Sequence, residues 1–309
     1  MNCIYVIDDN SRKVQTYTQF SSNIHELEKF IALVKIIKIL YHHTKSGKHT
    51  TLRDIYYQDV EIFGHNQSNC TRLLELFVED SLQWSLGEHL NIRPSQKGMI
   101  YGDCFENFHK TTEPILIPIN YQDHFIDSKT NNKRLLIIII EKDAVFQSLC
   151  HYLKISNNKI QNFLVISGKG YPDRLTLRFL MWISRSFPTS TIGFFDSDVY
   201  GLRICKSYQR CVRELIFGGV FLLETNIRDH LPITFRDIKI MINLLITLSE
   251  ERNQENNSIF MLWKRELTRG LILFRKAEMN VLEFATDLNH YINVKSHQSQ
   301  LEHKAKRIN

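Results

Sequence analysis

The feature that most constrains the fold is a continuous aliphatic run, Leu135–Ile140, which ends directly in Glu141-Lys142-Asp143. Two further short apolar stretches follow at 162–167 and 191–195, and a helical pattern comes after each of the three. Strands buried on both faces appear as continuous apolar runs, and their alternation with helices indicates a parallel α/β sheet. The run is far shorter than the roughly 20 residues that a membrane span needs, and the acidic N-terminus is unlike a secretory signal. We therefore expect a soluble, intracellular α/β protein.

Carboxylates stand at the ends of these predicted strands, where open α/β sheets bind their ligands. Glu141 follows the first strand, and Asp196 and Asp198 follow the third. Three carboxylates that share a crevice repel one another, and a hard cation such as Mg²⁺, which prefers oxygen ligands, relieves the repulsion. The alternative role for the two aspartates is N-capping of the next helix. With Glu141 one strand away, the pattern favours a magnesium site.

The segment upstream of the sheet has a different pattern. Residues 28–40 carry apolar side chains at helical spacing, a short helix capped by Thr50 or Thr51 follows, and a third helix comes after residues 66–69. Two short strands, at 90–93 and 99–101, then flank a turn at 94–98 and predict a β-hairpin. Three helices and a hairpin are the order of a winged helix-turn-helix, a DNA-binding module, and a generic α+β bundle is the alternative. The predicted fold class is therefore α/β plus α+β.

The second of these helices contains the pair Tyr56-Tyr57. Neighbouring helical residues point about 100° apart, so that one tyrosine can pack while the other is exposed. A tyrosine hydroxyl, with a pKa near 10, attacks well only beside a cation such as Arg53 or when a metal stabilises the leaving group. Packing is the usual role of an isolated tyrosine pair. Beside a DNA-binding module and a metal crevice, however, the pair suggests attack of a tyrosine on a DNA phosphorus.

Net charge and cysteine content decide less. The formal net charge of +6 is compatible with a nucleic-acid partner, as it is with many other functions. The six cysteines include no Cys-x-x-Cys pair, which predicts reduced thiols and argues against a disulfide framework or a zinc finger.

Five motifs, in this order, resemble those of the eukaryotic meiotic double-strand-break transesterases, a family related to the A subunit of archaeal DNA topoisomerase VI. They are Arg53–Tyr57 with Val60–Phe63, Gln96–Gly98, Ile140–Phe146, Gly168–Asp173 and Asp196–Gly201. A sixth segment, Arg275–Asn280, is similar to budding-yeast members. The resemblance implies a winged-helix domain followed by a Toprim domain. Where the family usually has a proline, this chain has Val199.

The resemblance also implies roles for individual residues. Tyr57 would be the nucleophile, Arg53 an active-site cation and Tyr56 a packing residue. Mg²⁺ would be the cofactor, and its ligands would be Glu141, Asp196 and Asp198. DNA-binding residues would be Lys97 in the wing, Lys169 and Tyr171 in the loop after the second strand, and Arg178, which is displaced by one position from the family's Thr-Arg pair.

The implied function is the formation of DNA double-strand breaks that initiate meiotic recombination in the nucleus. A homodimer on double-stranded DNA would place the tyrosine of one protomer at the metal site of the other and leave 5′-phosphotyrosyl links. The implied protein partners are a topoisomerase VI B-like subunit, other meiotic recombination proteins and a WD-repeat adaptor. Two alternatives stay open, namely a non-catalytic DNA-binding scaffold and the A subunit of a type IIB topoisomerase, which would reseal its breaks with an ATPase partner.

The predicted domains are an N-terminal arm over 1–26, the winged-helix domain over 27–110, a connector over 111–133, and the Toprim domain with a C-terminal helical extension over 134–309.

Overall fold

The computed structural model describes residues 3–8, 13–47, 49–87, 89–93, 96–103, 113–124, 134–155, 162–212, 214–250, 258–279, 291 and 294–295. The chain divides into two compact units, which we call unit 1 (Met1–Ser95) and unit 2 (Gln96–Asn309). The division therefore falls after Ser95 and not at residue 110, where the sequence places it.

The three helices predicted for unit 1 are confirmed. Ile36, Ile55 and Leu74, one from each of these helices, are fully buried in a shared core. The elements of unit 1 are β1 (Cys3–Asp8), β2 (Lys13–Thr18), α1 (Ile24–Ser46), β3 (Thr50–Thr51), α2 (Leu52–Tyr57), α3 (Gln67–Leu74), a π-helical segment (Glu75–Ser81) and β4 (Ile92–Arg93).

The N-terminal arm predicted for residues 1–26 is wrong, because β1 and β2 form an antiparallel hairpin that belongs to unit 1. Ile4 and Val6 are buried together with Leu33 of α1. Tyr5 and Ile7, which point to the other face of the strand, are exposed. Since the exposed positions are apolar as well, the alternation that marks a half-buried strand is hidden in the sequence.

Unit 2 is built on a parallel-rich sheet with helices on both faces. Its elements are β5 (Met99–Gly102), β6 (Ile115–Leu116), α4 (Tyr121–His124), β7 (Leu135–Ile140), α5 (Asp143–Ile155), β8 (Phe163–Ser167), α6 (Arg174–Ser186), β9 (Thr189–Phe194), α7 (Val199–Gln209), β10 (Ile216–Gly219), β11 (Leu231–Pro232), α8 (Phe235–Glu250), α9 (Ser258–Leu273) and β12 (Arg275–Lys276), with 3₁₀ turns at Leu222–Glu224 and Ile227–Asp229.

The sheet has the strand order β10-β9-β7-β8-β5-β6. Its strands β10, β9, β7 and β8 are parallel, and β5 runs antiparallel to both of its neighbours. Along β7, Ile137 and Ile139 pack in a core with α6 to α9, whereas Ile138 and Ile140 pack with α5. The prediction of a parallel α/β sheet from three buried strands is thus confirmed, and the carboxyl ends of those strands lie at one edge.

The predicted wing hairpin is wrong. Strand β4 pairs in parallel with β3, and β5 pairs with β8 and β6 of unit 2. The side chain of Asp103, just after β5, accepts hydrogen bonds from the backbone N–H groups of Asn162 and Phe163 at 3.0 and 2.7 Å. Strand β5 thus pairs with β8 over four residues, whereas a hairpin with β4 would pair only the two residues of β4. Pro94 and Ser95 of the predicted turn lie outside the described residues.

Parts of the remaining predictions lie outside the described residues. The connector predicted over 111–133 contains β6 and α4, but residues 111–112 and 125–133 are not described, nor is most of the C-terminal extension after residue 279. No helix in the described part of the chain is long and apolar enough to cross a membrane. The five cysteines that the structure describes are free thiols.

Candidate active site

The short helix α2 begins with a reciprocal cap that fixes its first turn. The Thr51 hydroxyl oxygen accepts a hydrogen bond from the Asp54 N–H at 3.1 Å, and the Asp54 carboxylate accepts one from the Thr51 N–H at 3.0 Å. Such a capping box satisfies two amide groups that a helix start otherwise leaves unpaired. A six-residue helix is too short to be stable by itself, so the cap and the packing of Ile55 hold it in place.

The two tyrosines at the end of α2 have different environments. Tyr56 is 9% exposed and packs against Phe63, with ring centroids 6.3 Å apart. Tyr57 is 58% exposed, and its ring is tilted against that of Tyr56, with centroids 5.2 Å apart. The prediction that one tyrosine packs and the other is exposed is confirmed. The phenol group available to an external substrate is that of Tyr57.

Arg53 lies one helical turn before Tyr57 and points its guanidinium at the phenol. Its Nη2 and Nε atoms lie 3.2 and 3.4 Å from the Tyr57 hydroxyl oxygen, and its Cζ lies 5.5 Å from the ring centroid. The hydrogen bond with Tyr57 is the largest of the effects that raise the pKa of Arg53. The structure thus brings together the predicted nucleophile and the predicted cation, within unit 1.

The three predicted acidic residues lie at the strand ends of unit 2, and backbone amides orient each of them. Glu141 follows β7, and its Oε2 accepts a hydrogen bond from the Asp196 N–H at 2.9 Å. Asp196 follows β9, and its Oδ1 accepts one from the Met279 N–H at 2.7 Å. Asp198 caps α7 by accepting from Tyr200 and Gly201, which is the capping role that the sequence left open for it.

The acidic cluster, which we define as Glu141, Asp196 and Asp198, is electrostatically unfavourable. Burial raises the pKa of each of the three carboxyl groups above its ordinary value. The negative charge of Asp196 raises the pKa of Glu141 further, and that of Asp198 raises the pKa of both other members. Buried carboxylates that repel one another in this way attract a cation.

Lys142 is the nearest compensating charge. Its Nζ lies 3.2 Å from Asp196 Oδ2 and 2.7 Å from Glu278 Oε2. The sequence motif around Glu141 contains this lysine, but the motif alone predicts no role for it. Its position could have been anticipated, because a buried acidic cluster needs an internal countercharge when no ion is bound.

The acidic cluster fits Mg²⁺ in its donor type and its charge, but its side chains are not arranged as a finished coordination shell. All of the donors are carboxylate oxygens, which this ion prefers. Among the described residues, no three His, Cys, Asp or Glu side chains come together closely enough to hold a metal ion. Part of the reason is that Lys142 and the α7 cap already engage oxygens of Asp196 and Asp198.

The segment at 275–279 closes the acidic site, which the sequence did not reveal. The Ser197 N–H donates to the Ala277 carbonyl at 2.8 Å, next to the bond from Met279 to Asp196. Gly201 permits the close approach of α7 on the other side, because a Cβ atom there would collide with the backbone of Asp196. The motif Asp196–Gly201 therefore packs against the described part of the motif Arg275–Asn280, which ends at residue 279.

The predicted DNA-binding residues of unit 2 lie in two places. The Gly170 N–H donates to the Glu141 carbonyl at 2.9 Å, so that the loop with Lys169 and the 47% exposed Tyr171 adjoins the acidic cluster. Lys169 Nζ lies 3.3 Å from Asp143 Oδ2. Arg178 is on α6 instead, where its charge partly offsets the effect of burial on the pKa of Tyr121.

Lys97 does not lie at a hairpin tip, contrary to the prediction. Its Nζ donates to the Tyr171 carbonyl at 3.0 Å, and its backbone N–H donates to Asp173 Oδ2 at 2.8 Å. Because the wing hairpin does not form, this exposed lysine packs beside the loop after β8. Val199, which replaces the usual proline, is buried as the first residue of α7.

Comparison with known proteins decides the family. The model of the Toprim domain shared by Spo11 and the topoisomerase 6 A subunits matches residues 136–292, and a model of type IIB DNA topoisomerases matches residues 28–92. The chain belongs to the family of Spo11 and the topoisomerase 6 A subunits. The resemblance predicted from the motifs, and with it the Toprim domain, is thereby confirmed. The Toprim match contains the acidic cluster, and the type IIB match contains Arg53 and Tyr57.

Individual relatives of the family agree with this assignment. The meiosis-specific protein SPO11 of Saccharomyces cerevisiae is 32% identical over 321 residues, which cover 89% of this chain and 79% of the yeast protein. The meiotic recombination protein rec12 of Schizosaccharomyces pombe is 29% identical, with 82% and 73% covered. The A3 subunit of DNA topoisomerase 6 from Oryza sativa subsp. indica is 25% identical, with 84% and 61% covered.

Proposed function

We propose that this protein forms DNA double-strand breaks in meiosis by a topoisomerase-like transesterification with Tyr57 as the nucleophile. The observation that carries the proposal is the exposed Tyr57 phenol with a guanidinium nitrogen of Arg53 3.2 Å from its oxygen. This pair lies in the segment that matches the type IIB DNA topoisomerases. A packing tyrosine would need neither the exposure nor the cation, and Tyr56 already fills the core position.

In the proposed step the Tyr57 hydroxyl oxygen attacks a backbone phosphorus, and the bond from that phosphorus to the 3′ oxygen breaks. The phenolic proton leaves to solvent, and the departing 3′ oxygen takes up a proton. The product is a 5′-phosphotyrosyl link and a free 3′ hydroxyl. One phosphate ester replaces another, so that the step consumes no water and needs no further reactant.

Arg53 acts on both partners of this reaction. Its guanidinium donates to the Tyr57 hydroxyl oxygen and orients it, and its positive charge attracts the phosphate that approaches. Because the Arg53–Tyr57 pair is formed before DNA arrives, the donor needs little rearrangement at the moment of attack.

Mg²⁺ is the proposed cofactor, and Glu141, Asp196 and Asp198 are the residues that would hold it. When bound, the ion supplies positive charge that stabilises the departing 3′ oxygen or positions the DNA. The raised pKa values of the acidic cluster support this assignment, since a cation relieves the repulsion that burial creates. Lys142 provides a countercharge to Asp196 in the absence of an ion, and Glu278 would remain its partner if a bound ion took over that role.

The proposed setting is the meiotic nucleus, with double-stranded DNA as substrate and a homodimer as the cutting unit. The tyrosine of each protomer would act at the metal site of its partner. Unit 1 would bind DNA as a winged helix-turn-helix, although not through the hairpin that the sequence predicts. Further partners would be a topoisomerase VI B-like subunit, other recombination proteins and a WD-repeat adaptor. Residues 267–274 of this chain lack the polar-aromatic run by which some yeast members of the family dock that adaptor.

A second candidate function is that of a type IIB topoisomerase that reseals its breaks. It is favoured by the relatives named as A subunits of DNA topoisomerase 6, one of them from Arabidopsis thaliana at 23% identity. Relaxation of supercoiled DNA in the presence of an ATPase partner would distinguish it from an enzyme that only breaks DNA. A non-catalytic scaffold is disfavoured, because it would need neither Tyr57 with Arg53 nor the acidic cluster.

The test is recovery of DNA covalently bound to the protein and mapping of the linked residue. We expect the wild type and Tyr56→Phe to give a phosphotyrosyl peptide that contains residue 57, and Tyr57→Phe to give none. Linkage at another residue would overturn the nucleophile assignment. Absence of any linkage in the wild type with its partners, Mg²⁺ and DNA present would favour the scaffold.

A further inference from the structure

An open groove of about 460 Å³ lies between α7 and α8 of unit 2, and of its described lining residues only Tyr171 belongs to a motif of the sequence. Its cationic wall is formed by Arg203, Lys206 and Arg210 of α7, and Tyr171 lies at one end. Ile240 and Leu244 of α8 form the apolar part of the lining. The other three of the nine described lining residues are neutral and polar, so that the described lining contains no acidic side chain.

The three cations have the spacing of one helix face. Positions i, i+3 and i+7 lie in one row on an α-helix, and the row from Arg203 to Arg210 is about 10 Å long. Both arginines are exposed, and no carboxylate among the described residues pairs with either of them. Two unneutralised arginines at the ends of such a row raise the local concentration of anions along its length.

We propose that this groove, which we call the α7 groove, binds the phosphate backbone of duplex DNA next to the acidic cluster. The proposal rests on the proposed function for the identity of the substrate. Arginine forks match phosphate oxygens, and a DNA strand presents one phosphate per about 3.4 Å of helix axis, so that the 10 Å row can meet several of them. The groove would hold DNA by charge alone and add no sequence preference.

The position of the groove favours nucleic acid over an acidic protein segment. Tyr171 lines the groove and belongs to the loop whose Gly170 N–H donates to the Glu141 carbonyl, so that one end of the groove adjoins the loop beside the candidate metal site. Burial is the main cause that raises the pKa of the Tyr171 hydroxyl, Arg203 of the groove lowers it, and the negative charges of Glu141 and Asp198 raise it further. When a DNA strand enters the acidic site, these carboxylates repel the neighbouring phosphates of the strand. The cations of the α7 groove attract those phosphates and offset the repulsion.

The experiment measures non-covalent binding of a short duplex to the full chain, in a Tyr57→Phe background so that no link can form. Arg203→Ala with Arg210→Ala is compared with Arg185→Ala with Arg265→Ala, which removes two exposed arginines elsewhere in unit 2. Lys206 is left unchanged because its Nζ lies 6.0 Å from the Phe260 ring centroid and contributes to packing. Circular dichroism of both double variants checks that each is folded.

Loss of two phosphate contacts should lower the slope of log K against log salt by about 1.8. When the salt concentration rises from 50 to 200 mM, the fold-loss of affinity should therefore be about 12 times smaller for the groove variant than for its parent. At low salt the groove variant should bind every DNA sequence more weakly than the parent does. The control pair should keep the slope of the parent, and Arg203→Lys with Arg210→Lys should restore most of the binding.

An unchanged slope in the folded groove variant would overturn the proposal. Loss of poly-glutamate binding without loss of DNA binding would overturn it as well and would indicate an acidic protein partner. Neither result depends on the identity of the nucleophile. A failure of the proposed chemistry would instead appear as missing covalent linkage in the wild type, with the salt dependence unaffected.

Discussion

The two candidate centres of the molecule are built on opposite principles. In unit 1, Tyr57 is 58% exposed, and among the described side chains only Arg53, on the same six-residue helix, bonds to its hydroxyl. In unit 2, Glu141 and Asp196 are 7% and 6% exposed and are tied to backbone amides at the ends of central strands. The first centre lies at the surface of its unit, and the second lies in the buried interior.

The difference follows from what each group must do. A nucleophile has to reach an external phosphorus and therefore remains exposed, with a cation that orients it. Carboxylates that hold an ion must be fixed before the ion arrives, and burial that fixes them also raises their pKa. Mutations should therefore separate activity from stability in unit 1 and couple the two in unit 2.

The largest expected effect is that of Tyr57→Phe. Removal of a nucleophile from a catalytic unit commonly costs more than 10⁴-fold in rate, and we expect covalent linkage to fall by at least about 10⁴-fold. The hydroxyl is exposed, so the melting temperature should change by no more than about 1 °C. Quantitative gels of protein-linked DNA and calorimetry measure the two effects. A large loss of stability would contradict the proposed independence of this site from the core.

Next in size is the effect of Glu141→Gln on the binding of Mg²⁺. Loss of one ligand from a small carboxylate cluster should weaken the ion by about 100-fold or more. Asp143→Asn, two residues away in sequence and paired with Lys169, is the matched control and should bind Mg²⁺ as the wild type does. Titration calorimetry checks both variants. Equal affinity in Glu141→Gln and the wild type would remove Glu141 from the metal site.

A smaller effect is expected for Arg53→Ala. Removal of a preorganised donor costs 10²–10³ in buried sites, and solvent screening at this exposed pair reduces the expected loss of linkage rate to about tenfold. Arg72→Ala, which removes an exposed arginine from α3 of the same unit, should leave the rate unchanged. Single-turnover kinetics with a short duplex measures the rate. Equal rates in the two variants would mean that Arg53 only packs on the ring.

The acidic cluster should also make stability depend on pH when no divalent ion is present. Burial is the main cause of the raised pKa values of Glu141 and Asp196. At pH values above the ordinary carboxyl pKa, the folded state therefore binds more protons than the unfolded state. The resulting contribution to the free energy of unfolding is complete at pH values below the ordinary carboxyl pKa, and it is lost as the pH rises through the raised pKa. In EDTA the melting temperature should fall by roughly 3–6 °C between about pH 5 and pH 8 from these groups.

The dependence on pH should be weaker in Glu141→Gln, since glutamine does not titrate, and Mg²⁺ should reduce it in the wild type. Calorimetric melting over this pH range provides the measurement. An identical pH dependence in the variant would show that other groups cause it.

The smallest expected effect concerns Lys97. As a phosphate contact beside the Gly168–Asp173 loop, it should contribute about 0.9 to the slope of log K against log salt for duplex binding. This slope corresponds to a change in affinity of about 3.5-fold between 50 and 200 mM salt. Lys97→Ala should lower the slope by that amount on all sequences alike. Titrations at several salt concentrations measure it, and an unchanged slope would mean that Lys97 serves only to hold the Tyr171 carbonyl.

Local sequence patterns were sufficient to predict the parallel strands of unit 2, the three helices of unit 1 and the split between Tyr56 and Tyr57. These features depend on periodicity over a few residues, since a buried strand must be apolar throughout and neighbouring helical residues must point apart. The resemblance of the motifs likewise led to the family without any coordinates.

Long-range packing was needed to show which strand β5 joins, that β1 and β2 pair as antiparallel strands, and that residues 275–279 and Lys142 contact the acidic site. Strand pairing depends on which edge is open in the folded sheet, and a four-residue strand carries no signal for its partner. Contacts such as Lys142 with Glu278 join residues 136 positions apart, which no local pattern can specify. The α7 groove also depends on long-range packing. Its cations can be read from the sequence, but only the packing of α7 and α8 shows that the described lining has no acidic side chain beside them.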